Sequence, residues 1–145
     1  MTGQTDDESI ADFADAVLDI ARKLALRAPD RREIVPLTGT EVDVIREIIR
    51  NPGTNATQIA AATRLRRSNV SAAMRVLESR ELIIKEQVAE DARFVRLTAT
   101  PYAIENVEKI RALWVRRLRA LPPALLAEAA AAHELLERVN SHMEA

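Results

Sequence analysis

Residues 54–98, TNATQIAAATRLRRSNVSAAMRVLESRELIIKEQVAEDARFVRLTAT, constrain the chain more than any other stretch. They read as a short helix, a turn, a second amphipathic helix with a basic start, and a two-stranded ribbon with a charged tip. Strand patterns occur nowhere else, so the ribbon is expected to pack on these helices. The expected fold class is mainly α with a small β-ribbon, a winged helix-turn-helix with helices added at both ends. That unit is suited to setting one helix in the major groove of DNA and a loop beside it.

The face of the second helix follows from its period. At ~100° per residue, Val70, Met74 and Leu77 share one stripe, with Ala73 at its edge. The opposite face carries Ser68, Ala72, Arg75 and Ser79, flanked by Asn69 and Ser71. A merely solvated face more often carries Glu and Lys. Small residues let a helix approach base edges, while Arg can bond guanine bidentately and Asn adenine. Arg64, Arg66 and Arg67 lead into the helix and suit phosphates. Between 64 and 85, Arg64, Arg66, Arg67, Arg75, Arg80 and Lys85 face only Glu78 and Glu81. The alternative is an ordinary basic surface helix.

Composition narrows the remaining classes. A chain of 145 residues is most simply one domain. Its net charge is only −1, and residues 1–21 hold six acids and no Lys or Arg. Binding to DNA therefore depends on charge gathered on one face, which disfavours a non-specific DNA coat. The absence of cysteine excludes a disulfide scaffold, a thiol redox sensor and any Cys-ligated zinc. No stretch reaches the ~20 apolar residues of a membrane span, and the acidic start is unlike a signal peptide. The expected location is cytoplasmic, on the nucleoid through DNA, with no membrane partner. Three Gly and 3% aromatics leave little for phosphate loops or base-stacking platforms.

The flanks are helical in pattern. Ile10, Phe13, Ala14, Val17, Leu18, Ala21, Leu24 and Ala25 predict a helix over 6–28, acidic at its start, with Arg22, Lys23 and Arg27 at its end and Pro29 closing it. APDRREIVP is a linker. Thr38 and Glu41 have capping-box spacing before a helix over 39–50 whose inward side is Val42, Ile45, Ile48 and Ile49. NPG at 51–53 breaks it. Thr54 or Asn55 starts the next helix, with Asn55 and Gln58 again at capping-box spacing. The recognition-type helix is expected over 67–80, and strands over Leu82–Gln87 and Phe94–Thr98.

Pro101 sits in the first turn of a helix to about 119, with Ile104, Val107, Ile110, Trp114, Leu118 and Leu121 on its apolar side. Pro122-Pro123 then opens a last helix with Leu125, Leu126, Ala129, His133, Leu136 and Val139 at helical spacing. Stripes this long must be buried, on one another in a monomer or on a second subunit. A symmetric dimer would set two recognition helices about 34–36 Å apart, one turn of DNA.

With that order of elements, the chain resembles the MarR family of winged-helix regulators over nearly its whole length. The likeness rests on Leu37-Thr38, Gln58-Ile59-Ala60, Ser68-Asn69-Val70-Ser71, Leu77-Glu78, Asp91-Ala92-Arg93 and Leu97-Thr98, in that order and spacing. It implies a single MarR-like domain, with 37–99 as the DNA-binding core and 6–35 and 100–145 as the dimerisation region. It also implies a homodimer on a palindromic operator in double-stranded DNA, usually a repressor, often released by a small aromatic ligand. By position, Ser68, Asn69, Ser71, Ala72 and Arg75 would face the major groove and Arg93 the minor groove. Asp91 would hold the wing by pairing with Arg93 or with a helix arginine.

The chain departs from the family pattern at three places. Glu81 and Pro101 stand where glycines are usual, and the wing is short. Either the helix exit differs at Glu81 or that residue takes a left-handed backbone angle.

Other chemistry has little support. There is no Ser/His/Asp arrangement or Gly-rich phosphate loop, so no enzyme and no cofactor are expected. His133 and Glu137 share a helix face, but a histidine on an apolar stripe is more often packed than metal-bound, and no metal is expected. By the family likeness, a ligand pocket would lie between the winged unit and the dimerisation helices, with Phe13, Tyr102 and Trp114 as aromatic candidates, although each is more simply read as core or interface filling. The rival class is a winged-helix protein-interaction module without DNA binding.

Overall fold

The computed structural model describes residues 6–88 and 95–143. The chain divides into two compact units, one ending at Glu33 and the other starting at Ile34. The first holds helix α1, Asp7–Leu24, and a 3-10 turn, Asp30–Arg32. Asp6 caps α1 by accepting the Ser9 N–H at 2.8 Å, and no residue of the helix is buried.

Helix α1 stops four residues short of the expected end at 28, so Arg27 lies beyond it rather than in its last turn. The reason is local. Ala28 precedes Pro29, where the helical conformation is disfavoured. The Arg27 N–H is meanwhile taken by the Asp30 carboxylate at 2.6 Å, closing a separate turn.

The second unit begins with α2, Gly39–Arg50, opened by the expected capping box: Thr38 Oγ1 accepts the Glu41 N–H, and Glu41 Oε2 accepts the Thr38 N–H. Its buried residues are Val42, Val44, Ile45 and Ile48, whereas Ile49 is half-buried. Helix α3, Ala56–Thr63, is capped by Asn55, which accepts the Gln58 N–H. The Gln58 side chain does not complete the box; its amide oxygen takes the Thr54 hydroxyl at 3.2 Å instead. Helix α4, Arg67–Ser79, buries Val70, Ala73, Met74 and Leu77, the stripe its period predicts.

Strands β1, Ile83–Gln87, and β2, Val95–Ala99, pair antiparallel from Ile83 opposite Ala99 to Gln87 opposite Val95. Strand β1 starts one residue later than expected and β2 runs one residue further, to Ala99, while Phe94 lies outside the described residues. Leu82 still belongs to the helix exit, because its N–H reaches back to the Leu77 carbonyl. Extended pairing is also not confined to the ribbon. Gly53 adopts a φ of +87° after the Asn-Pro pair, and this sets Thr54 in a bridge to Leu97. Gly53 N–H donates to the Leu97 carbonyl, and Leu97 N–H to that of Thr54.

The exit of α4 settles the question raised by Glu81. Its φ is +59°, and the left-handed angle is accepted. Glu81 N–H bonds the Glu78 carbonyl and Leu82 N–H that of Leu77, the two bonds of a Schellman cap. Leu77 and Leu82 are both fully buried, so the cap closes on an apolar contact in the core. That contact compensates for a backbone angle costing a non-glycine residue about 1 kcal/mol or more. Thr100 locks the joint from the other side. Its hydroxyl donates to the Glu81 carbonyl at 3.0 Å, and the same oxygen accepts the Ala103 N–H, capping the next helix.

That helix, α5, Pro101–Arg119, has Pro101 in its first turn as expected, but the stripe it buries differs. Ala103, Asn106, Val107, Ile110 and Leu113 are buried, while Ile104, Leu118 and Leu121 of the expected stripe stay about 40% exposed. The helix carries two apolar sides, and periodicity alone does not say which one this chain covers. Asn106, 2% exposed, holds the segment before α2: its Oδ1 accepts the Val35 N–H and its Nδ2 donates to the Val35 carbonyl. The expected single last helix is two, α6, Pro123–Ala127, and α7, Ala129–His142, and neither has a buried residue.

Two stability outcomes follow from these joints. Glu81→Gly should raise unfolding free energy by about 0.5–1 kcal/mol in urea melts, as strain relief exceeds the added freedom of the unfolded chain. Asn106→Ala should lower it by about 2–3 kcal/mol, because both Val35 backbone groups lose their partner.

Candidate nucleic-acid interface

Burial of Val70, Ala73, Met74 and Leu77 leaves α4 one face to offer. Ser68, Asn69, Ala72, Arg75 and Ser79 are exposed and Ser71 is half-buried, as the helical period requires. At the start of α4 the chain turns through Arg64, which takes the left-handed conformation at φ +59° while Leu65 packs on the core. Arg64, Arg66 and Arg67 are thereby all exposed at one end of the helix.

The six cations counted along 64–85 are not equivalent. Arg80 donates to the Pro36 carbonyl, and Lys85 Nζ lies 2.9 Å from Glu78 Oε2, so both serve the fold. Arg67 donates to the Thr57 hydroxyl, which fixes its guanidinium at the α3–α4 corner. Arg75 and Arg64 make no hydrogen bond or ion pair with any described residue. A long cation left without a partner on an otherwise short-chained face retains its five donors for an outside acceptor. Beside this face a cavity of about 640 Å³ opens among α3, α4 and the ribbon, lined in part by Thr57, Arg67, Ser71 and Lys85. Thr57 and Thr100 escaped the sequence reading, since one polar residue at a joint has no periodic signature.

Asp91 and Arg93, the expected wing residues, lie outside the described residues, as does Phe94. Of the aromatic candidates, Phe13 in the first unit is 42% exposed, and in the second unit Tyr102 is 51% exposed and Trp114 half-buried. Neither Tyr102 nor Trp114 lines a second, polar cavity of the second unit. That cavity, about 660 Å³, lies among α2, α3, α5 and α7. His133 and Glu137 meet there with Asn140, so His133 is exposed to a polar space rather than packed on an apolar stripe. Among the described residues no group of three or more His, Cys, Asp or Glu has metal-holding geometry, and no helix is long and apolar enough to cross a membrane.

Comparison with known proteins points to one family. Residues 35–93 match the model of the MarR family. Over those residues the chain is similar to the MarR family. That likeness supports a transcription regulator built on a winged helix-turn-helix.

Solved structures agree with that fold. A transcriptional regulator protein from Pseudomonas aeruginosa is 28% identical, with a TM-score of 0.64 over 94% of this chain and 96% of that one. A MarR family transcription regulator is 19% identical, with a TM-score of 0.68 over 92% and 89%. MarR of Staphylococcus aureus, in complex with salicylate and kanamycin, is 20% identical, with a TM-score of 0.65 over 92% and 93%. The last two likenesses concern the fold alone. No curated protein matches the chain.

Asp43, on the cavity wall, gives a pH-dependent outcome. Although the residue as a whole is exposed, desolvation raises its carboxyl above the ordinary value of 3.8; Arg46 and Arg50 pull it down, and Glu137 adds to the rise. A carboxyl raised on folding holds its proton more tightly in the folded chain. Its contribution is therefore fully present at acid pH and is lost as pH climbs through the folded value. Asp43→Asn should melt higher than the parent at neutral pH, and the two curves should converge below the ordinary carboxylate range when followed by circular dichroism.

Proposed function

We propose that the chain is a sequence-specific DNA-binding transcriptional regulator acting as a homodimeric repressor on a palindromic operator. The observation that carries this is the outward face of α4: Ser68, Asn69, Ala72 and the unpartnered Arg75 exposed together, led by Arg64 and Arg67. In this reading Arg75, Asn69, Ser68, Ser71 and Ala72 meet base edges, while Arg64, Arg66 and Arg67 meet phosphates. Asp91 and Arg93 carry the wing contact.

The dimer is supported by apolar surface without cover. In the first unit Ile10, Phe13, Leu18 and Ile20 of α1 are all more than 40% exposed. In the second unit Leu121, Leu125, Leu135 and Leu136 are exposed to a similar degree. Patches of this kind mark an interface more often than bare surface. The protein then acts inside the cell, without a membrane partner. The salicylate complex of the Staphylococcus aureus relative supports release by a small aromatic ligand, with Phe13, Tyr102 and Trp114 as the aromatic groups available.

Arg75→Ala should cost about 1–3 kcal/mol on the cognate operator and relax base preference at one position per half-site. Arg67→Ala should weaken all sequences alike and flatten the salt dependence, since it removes a phosphate contact. Fluorescence anisotropy with fragments of the chain's own promoter region measures both. Operator affinity unchanged in both variants would contradict the facing of α4, and salt-insensitive or absent binding would favour the protein-interaction module. In sedimentation the full chain should be a dimer and the chain lacking residues 1–28 a monomer; a truncated chain that stays dimeric refutes the role given to α1.

A further inference from the structure

The 660 Å³ cavity of the second unit is lined by charges of both signs, and each sign is crowded. Arg46 and Arg50 stand one turn apart on α2, a spacing at which like charges repel. Arg111 joins them from α5, and a smaller cavity of about 290 Å³ is bordered by the same three arginines. Arg111 makes no hydrogen bond or ion pair with a described residue, and Arg46 and Arg50 act only through space, on Asp43. On the acidic side, Asp43 and Glu137 both line the cavity, from α2 and α7; burial and, more weakly, Glu137 disfavour the ionised form of Asp43, against the pull of Arg46 and Arg50. The third carboxylate, Glu47, is taken by the Asn51 amide at 2.6 Å. His133 and Asn140 add neutral hydrogen-bonding groups, and only Ala62 and the Thr63 side chain offer apolar wall.

This lining discriminates between ligand classes. Three arginines against three carboxylates give no net attraction for a plain anion or a plain cation. An aromatic ring finds no apolar wall of its own size. A molecule with separated opposite charges relieves both crowded clusters at once, its carboxylate among the arginines and its ammonium between Asp43 and Glu137.

We propose that the cavity bounded by α2, α5 and α7 binds a small zwitterion, a molecule bearing a carboxylate and an ammonium group a few bonds apart. A bound zwitterion bridges α2, which supports α4 from beneath, to the C-terminal helix. As an effector site the cavity rests on the regulatory reading above; as a binding site it does not.

The test uses the full chain without DNA. The ω-amino acids from glycine to 6-aminohexanoate are compared with butyrate and butylamine by thermal shift and titration calorimetry. At least one ω-amino acid should raise the melting temperature where butyrate and butylamine do not. Arg111→Gln and Glu137→Gln should each weaken its binding about tenfold or more, through loss of a charge-assisted contact, while keeping the parent circular dichroism spectrum and melting temperature. No response to any ω-amino acid overturns the proposal. So does an equal response to butyrate, which would mean a plain anion site, or a response retained in both variants, which would mean a solvent effect. Zwitterion binding that persists in a chain unable to bind its promoter would sink the regulatory reading alone.

Discussion

Everything functional in the second unit depends on how α4 is held. Its stripe of Val70, Ala73, Met74 and Leu77 joins Val44, Ile45, Ile48 and Ile59 in one buried cluster. Burying each large member contributes roughly 1.5–3 kcal/mol, so rotating the helix to present another face would forfeit several such terms together. Both ends of the helix are fixed as well, through Leu65 packed on the core at its start and the Leu77–Leu82 cap at its end. The outward residues are thus determined by the inward ones.

The helix exit shows how a local cost is carried by the global fold. Left-handed backbone at Glu81 is unfavourable for its side chain, yet four interactions converge there: two cap hydrogen bonds, the Thr100 hydroxyl, and Leu82 in the core. Thr100 serves the α4 exit and the α5 start with one oxygen, so the ribbon between them begins and ends at a single polar joint. The bridge from Thr54 to Leu97 ties β2 back to the start of α3. The ribbon therefore leaves the core anchored on two sides.

What could be read from the sequence was whatever repeats or caps. The inward face of α4, the Thr38–Glu41 box, the breaks at NPG and Pro122-Pro123, and Pro101 at a helix start all follow from period or fixed chemistry. Apolar periodicity shows that a face needs cover but not what covers it. Ile104 and Leu118 therefore read like Val107 and Ile110, although only the latter pair is buried within the chain. Val44, fully buried beside the expected stripe of α2, shows the converse. Single polar ties such as Asn106, Thr57 and Thr100 leave no pattern at all. Of the candidate site, the α4 residues share one exposed face and the arginines crowd its start, but only the folded chain separates Arg75 from Arg80 and Lys85, whose charges are already engaged.

That one face of α4 meets DNA is open to a direct measurement, because the chain has no cysteine of its own. Single cysteines can be placed by Ser68→Cys and Ala72→Cys on that face, and by Ala131→Cys on α7 as a reference. Their alkylation rates are then compared with and without promoter DNA. Strong protection at 68 and 72 with no change at 131 is the predicted result. Equal rates with and without DNA at 68 and 72, in a complex that has formed, would contradict it.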